Sequence, residues 1–157
     1  MGLIEDHMLL ISMLFGSALM LLIGVYLISA VLQVPQLQSS AATTIQNNFT
    51  YLDGIMIVGV VMICIGEVLL AYFLPSHPVF FIVYILVGFL TFIFAPIYTN
   101  LYTVMATNPT FAAAAQLLPY TALVMNNLPI ISLVISALVA LASYAKKPQQ
   151  QTYSELL

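Results

Sequence analysis

The sequence predicts an all-α integral membrane protein: a bundle of four transmembrane helices with two short interfacial amphipathic helices on one side. Three observations predict this class. Hydrophobic residues make up 63% of the 157 residues and charged residues only 4%, whereas soluble domains carry about 25% charged residues. Four apolar stretches are long enough to cross a bilayer, and they are continuous rather than alternating, which favours helices over barrel strands. The two longest connections between these stretches contain apolar residues at helical spacing.

The spans are predicted from length, because a helix rises about 1.5 Å per residue and about 20 residues cross a hydrocarbon core of about 30 Å. The predicted spans cover residues 8–32, 54–73, 79–98 and 128–145. With their connections they form a single domain, residues 1–147, followed by a polar tail at residues 148–157. The connection at residues 74–78 is so short that spans two and three must form an antiparallel hairpin.

The two longer connections, residues 33–53 and 99–127, are predicted to lie on the opposite side from this hairpin. Each contains apolar residues at helical spacing among polar ones, which is typical of a helix lying in the membrane interface. In the second connection, Asn108 is expected to cap such a helix with Pro109 in its first turn, and Asn127 to cap the fourth span. The interfacial residues expected to contact partner proteins are Ile45, Phe49, Phe111 and Leu118.

The few cations of the chain decide its orientation and exclude one class of partner. Lys146 and Lys147 are its two basic residues and directly follow the fourth span. The positive-inside rule therefore places the C-terminus, and with four spans the N-terminus too, on the cytoplasmic or interior side. Nucleic-acid binding needs several cations on one face, so we expect no nucleic-acid partner. The expected partners are the lipid bilayer and other membrane proteins.

Glu67 is the one carboxylate inside a predicted span, which makes it the candidate for intramembrane chemistry. It would act as a proton carrier or an ion ligand. The alternative is structural: Glu67 is neutral and hydrogen-bonded to a neighbouring helix, with His77 as one partner, or it extends towards the interface. No metal-site spacing, phosphate loop or catalytic triad occurs elsewhere. We therefore expect no enzymatic activity and no cofactor.

Small residues recur along two of the predicted spans. Residues at intervals of about four allow helices to approach closely in lipid, and such seams also bind further copies of a protein. They predict a compact bundle that associates with itself or with other membrane proteins. The residues of this predicted packing seam are Ser12, Gly16 and Gly24 in the first span and Ser132, Ser136 and Ala140 in the fourth.

Three short motifs occur in order in the second half of the chain, joined by Asp53 at the start of span two and the short turn Ser76-His77-Pro78. The motifs are Thr107-Asn108-Pro109-Thr110-Phe111, Leu118-Pro119-Tyr120-Thr121 and Asn126-Asn127-Leu128-Pro129. In this combination the chain resembles small multispan membrane proteins of tailless, membrane-containing icosahedral viruses of bacteria and archaea. The resemblance implies a place in the internal membrane of a virion, or in the host cytoplasmic membrane during assembly, with outer loops that contact capsid proteins.

These observations favour a structural membrane protein that packs in the bilayer and contacts partners through its outer loops. Two alternatives stay open. One is a small transport or pore subunit, including a holin-like protein, that uses Glu67. The other is an accessory subunit of a membrane enzyme complex, which differs from the leading interpretation only in its partner.

Overall fold

The computed structural model describes residues 3–33, 40–73 and 79–145, and all the regular secondary structure in these ranges is helical. The predicted all-helical class is therefore confirmed. The helices are α1 (Leu3–Leu32), α2 (Ser40–Phe73), α3 (Val79–Thr107), α4 (Ala112–Ala115), α5 (Pro119–Asn126) and α6 (Leu128–Tyr144). The predictions that concern His77, the 74–78 turn, Lys146, Lys147 and the 148–157 tail lie outside the described residues.

Three of the described helices are long and apolar enough to cross a membrane, and there are up to four such spans if one bent pair is a single span. The three are Met8–Leu32, Asn47–Phe73 and Phe81–Thr107, and the bent pair joins α5 to α6 at an angle of 65°. Large apolar side chains cover the outside of these helices, as with Met20, which is 79% exposed. Such a surface is consistent with an integral membrane protein, since lipid solvates apolar side chains without cost.

Two predicted boundaries need correction. Ile45 and Phe49 do not belong to a separate interfacial helix, because α2 runs without interruption from Ser40 to Phe73. The third span also extends beyond residue 98, since α3 continues to Thr107 with Pro96 inside it. In both cases the helical spacing of apolar residues continues past the predicted boundary without a break. Pro96 is tolerated inside α3 because neighbouring helices in a bundle can satisfy the backbone groups that a proline leaves without a partner.

The connection between α3 and α5 is also less regular than predicted. Asn108 begins a helical turn with Pro109 next to it, as predicted: its Oδ1 accepts a hydrogen bond from the Thr110 N–H at 2.9 Å, and its carbonyl accepts one from the Ala112 N–H at 2.9 Å. The helix that follows is only Ala112–Ala115, and it begins after Phe111 without a side-chain cap. An asparagine side chain that accepts the N–H two residues on, with proline in between, is typical of the start of a helical turn.

The long helices pack in a register that the interhelical contacts define. Helix α1 lies parallel to α3, with the Ser12 hydroxyl 3.2 Å from the Tyr98 hydroxyl and the rings of Phe15 and Tyr98 4.9 Å apart. Helix α6 lies antiparallel to α3, and Gly88 faces Ser136 across the tightest part of their contact. The larger core cluster extends along α1 from Ile11 to Val25 and includes residues of all the other helices. Its fully buried side chains include Leu22, Tyr102, Leu118, Met125 and Leu128.

Candidate functional site

Asp53 is a fully buried carboxylate that accepts three hydrogen bonds from another helix. It lies on α2, within the Asn47–Phe73 span, and is 0% exposed. Its Oδ2 accepts a hydrogen bond from the Tyr120 N–H at 2.8 Å. Its Oδ1 accepts two, from the Thr121 N–H at 2.7 Å and from the Thr121 hydroxyl at 2.6 Å. The carboxylate therefore joins α2 to the start of α5.

The beginning of α5 explains why the carboxylate is needed there. A helix leaves the N–H groups of its first turn without partners inside the helix. Here the first position is Pro119, which has no N–H, and the residue before it is Leu118, whose side chain cannot cap. Asp53 accepts the next two N–H groups, and the Ala122 N–H bonds the Leu118 carbonyl at 3.0 Å. Every N–H of the first turn is thereby satisfied.

The same geometry places an acidic side chain inside an apolar span. The described residues include no lysine or arginine that could pair with Asp53. Short hydrogen bonds from amides and a hydroxyl take the place of a cation, and the positive end of the α5 dipole adds to their effect. The Asp53 carboxylate therefore acts as a helix cap supplied by a neighbouring helix.

The break between α5 and α6 is closed in a similar way at its other end. The Leu123 carbonyl accepts a hydrogen bond from the Asn127 side-chain amide at 2.8 Å, and the Met125 carbonyl accepts one from the Thr99 hydroxyl at 2.8 Å. Asn127 thus lies at the predicted start of α6 but does not cap it with its side chain. Broken helices are tolerated in a bilayer only when such groups find partners. The Leu123 and Met125 carbonyls at the bend therefore both have hydrogen-bond partners.

An apolar groove lies beside this break, between α2 and the α5–α6 pair. Its volume is about 420 Å³ and its lining is aliphatic except for one asparagine side chain. Such a lining accepts hydrocarbon and offers almost no group that would orient a polar ligand. The lining residues are Ile57, Val60, Val61, Leu123, Val124, Asn127 and Ile131.

Tyr102 contributes a second buried polar group close to Asp53. Tyr102 is 1% exposed, and its hydroxyl has no hydrogen-bond partner among the described residues. An unsatisfied buried hydroxyl costs about 1–3 kcal/mol. The Tyr102 ring packs in the large core cluster between α1, α3 and α5, so its burial is explained by the ring rather than by the hydroxyl.

Glu67, the carboxylate that the sequence singled out, lies away from this site. Glu67 is half-buried and lies on α2, the same helix as the fully buried Asp53. The two are about 21 Å apart along the helix axis at 1.5 Å per residue. The neighbours of Glu67 along α2, Cys64, Val68 and Ala71, belong to the smaller core cluster or pack against it. Groups of three or more potential metal ligands do not occur among the described residues.

The structure brings only part of the predicted packing seam into contact. Ser132, Ser136 and Ala140 are buried on α6. A Cβ atom added to Gly88, a residue absent from the predicted seam, would lie 2.6 Å from the Ser136 Cβ. This close approach explains why a small residue is required at position 88.

The other half of the predicted seam, on α1, is arranged differently. Ser12 donates to the Met8 carbonyl at 2.9 Å and lies 3.2 Å from the Tyr98 hydroxyl. A Cβ atom added to Gly16 or Gly24 would meet no heavy atom within 4 Å. These two glycines therefore make no close helix contact within the described chain.

The residues predicted to contact partners from the interface belong to the large core cluster or pack against it. Phe49 and Leu118 are 4% and 0% exposed, and both belong to the large core cluster. Phe111 is half-buried with its ring 4.9 Å from the Tyr26 ring, and Ile45 is half-buried against the same cluster. Ile45 and Phe49 do lie on one helix, α2, whereas Phe111 and Leu118 lie outside the helices. All four are covered at least in part by the protein's own core.

Sequence reasoning missed Asp53 as a site residue, although two features pointed to it. Asp53 lies immediately before the predicted second span, a position that is typical of a polar residue at a span boundary. Pro119 begins a helix with no capping residue at position 118, so the N–H groups after it need an acceptor from elsewhere.

Comparisons of the chain with protein-family models, with curated proteins and with solved structures find no match.

Proposed function

We propose that this chain is a structural integral membrane protein whose role is to pack in a bilayer and hold other proteins at it. The observation that carries the proposal is the use of its buried polar side chains. The hydroxyls of Tyr102 and Ser143 have no partner among the described residues, but five buried polar side chains bond backbone groups of the chain itself or a side chain that does. These buried polar residues are Asp53, Thr91, Thr121, Ser132 and Ser136.

Their partners support a structural role. Thr91 donates to the Val87 carbonyl at 2.7 Å, and Ser136 donates to the Ser132 carbonyl at 2.9 Å. Asp53 is occupied by three donors at the start of α5. Groups engaged in this way fix helix ends and seams, as is expected of side chains that stabilise a bundle in lipid.

The surface proposed to contact other proteins is the turn between α3 and α4. Asn108, Pro109 and Thr110 are all exposed there, and the turn carries no charge. The resemblance to membrane proteins of membrane-containing icosahedral viruses supports the internal membrane of a virion as the setting, with capsid or other membrane proteins as partners. The positive-inside rule supports an orientation with the termini inside and this turn on the opposite side.

The experiment that tests the proposal compares it with transport through Glu67. Wild-type protein, Glu67→Gln and the control Glu5→Gln are reconstituted into liposomes, and proton and sodium flux is measured. The structural proposal expects all three to match empty liposomes and to reach the membrane in equal amounts. Flux in the wild type and the control that is lost in Glu67→Gln would replace the structural proposal with the transport alternative.

A further inference from the structure

Asn100 places an unbonded amide on the outer surface of an apolar span. It lies on α3 within the Phe81–Thr107 span, is exposed, and makes no hydrogen bond within the described part of the chain. The residues one to three turns away on its face are large, apolar and exposed. They are Phe89 (61%), Ile93 (51%), Ile97 (54%) and Val104 (61%).

The position of Asn100 along the bundle places it away from the helix end. It is about 10 Å from the Thr107 end of α3 at 1.5 Å per residue. The preceding residue, Thr99, donates to the Met125 carbonyl at the break between α5 and α6. Asn126, directly after Met125, is likewise exposed and unbonded within the described residues. Two free amides therefore flank one interhelical contact on the outside of the bundle.

Lipid cannot satisfy such a group. A primary amide offers two donors and one acceptor with two lone pairs, and hydrocarbon supplies no partner for them. The hydroxyl of Thr103, the next polar residue on this face, is already bonded to the Thr99 carbonyl at 2.8 Å. Pro96, one turn before Asn100, has no N–H to give to the Phe92 carbonyl, which leaves a further acceptor on α3.

We propose that the α3 face centred on Asn100 is the contact between two copies of this chain in the membrane. An asparagine amide is complementary to an identical amide, because the donor of each pairs with the acceptor of the other. A two-fold axis beside α3 places the same face of both copies in contact, as in other isologous interfaces. Interhelical hydrogen bonds of this kind are a recognised source of helix association in membranes. The inference deepens the proposed structural function by naming its self-association surface, and it rests on that function.

The contact is tested with the full chain in liposomes by disulfide cross-linking. Cys64, the one cysteine, is replaced by serine, and a single cysteine is introduced by Ile97→Cys on the proposed face. The matched control is Val58→Cys on α2, where Val58 is 60% exposed, compared with 54% for Ile97. Cross-linked dimers are expected from the first variant and not from the second.

The role of the amide itself is tested by Asn100→Leu in the Ile97→Cys background, with Asn48→Leu, another exposed asparagine, as the control. The association constant, measured by dilution in lipid, is expected to fall about tenfold in Asn100→Leu and to stay unchanged in the control. Asn100→Gln, which retains the amide, is expected to recover most of the association. Circular dichroism confirms that each variant keeps its helices.

Three results would overturn the inference, and they separate it from the proposed function. Cross-linking through Val58→Cys alone would show association by another face, so the function would stand and the surface would not. An unchanged association constant in Asn100→Leu would have the same meaning. A chain that stays monomeric at every lipid dilution, and that recovers no partner protein from its native membrane, would refute both.

Discussion

Removing the Asp53 carboxylate tests the central packing feature of this molecule. In Asp53→Ala, the Tyr120 and Thr121 N–H groups and the Thr121 hydroxyl all lose their acceptor. Unsatisfied buried donors cost about 1–3 kcal/mol each. Part of this cost is recovered because Tyr120 is itself exposed and the N-terminus of α5 can shift. We therefore expect the free energy of unfolding to fall by about 3–5 kcal/mol.

A graded series separates capping from packing. Asp53→Asn keeps the shape and one acceptor oxygen but turns a donor towards an N–H group, so we expect a loss of about 2 kcal/mol. Thr121→Val removes only the hydroxyl bond and keeps both N–H bonds, so we expect about 1 kcal/mol. The expected order of loss is thus Asp53→Ala, then Asp53→Asn, then Thr121→Val.

The assay is equilibrium unfolding by sodium dodecyl sulfate in mixed micelles, followed by circular dichroism. Asn48→Ala is the control, since its side chain is exposed on the same helix and its loss should leave the midpoint within about 0.5 kcal/mol of the wild type. If Asp53→Ala unfolds at the wild-type midpoint, the carboxylate does not hold α5, and the capping argument fails.

Three further predictions use the same assay. Gly88→Ala should lower the free energy of unfolding by about 1–3 kcal/mol because the new Cβ meets Ser136. Gly16→Ala, with open space around it, should leave this free energy unchanged or raise it by up to about 1 kcal/mol. Equal effects of the two substitutions would contradict the close packing of Gly88 against Ser136. Tyr102→Phe should stabilise by about 1 kcal/mol, since it removes an unpartnered hydroxyl, and a loss would show a hidden partner. Thr99→Val should cost about 1 kcal/mol by freeing the Met125 carbonyl; an unchanged midpoint would show that this bond is dispensable.

The spans were predictable because hydrophobicity and helix length are local properties of the chain. The core of each predicted span lies inside a helix of the structure, and the errors are confined to ends, as where α3 continues to Thr107. On α2, the boundary that was predicted between an interfacial helix and the second span does not occur. A helix that leaves the interface and enters the bilayer needs no break, so amphipathic and uniformly apolar segments follow one another from Ser40 to Phe73.

The site was not predictable in the same way, because it depends on contacts between distant residues. The hydrogen bonds of Asp53 join positions 67 and 68 residues apart. Gly88 and Ser136 meet only because α3 and α6 pack antiparallel in one register. Composition showed that small and polar residues were present, but it did not show which of them face each other, since spacing defines a helix face and not its neighbour.

Asp53 and Glu67 show how a misplaced boundary changes a functional interpretation. The rule that an ionisable residue inside a span is a functional candidate selected Glu67 because the predicted span began at residue 54. With the span beginning at Asn47, Asp53 meets the same criterion, and its hydrogen bonds show what it does: it caps a helix that has no cap of its own. A buried carboxylate in a membrane helix thus has a structural explanation wherever an uncapped helix begins beside it. The N-termini of neighbouring helices should be accounted for before such a carboxylate is assigned to transport.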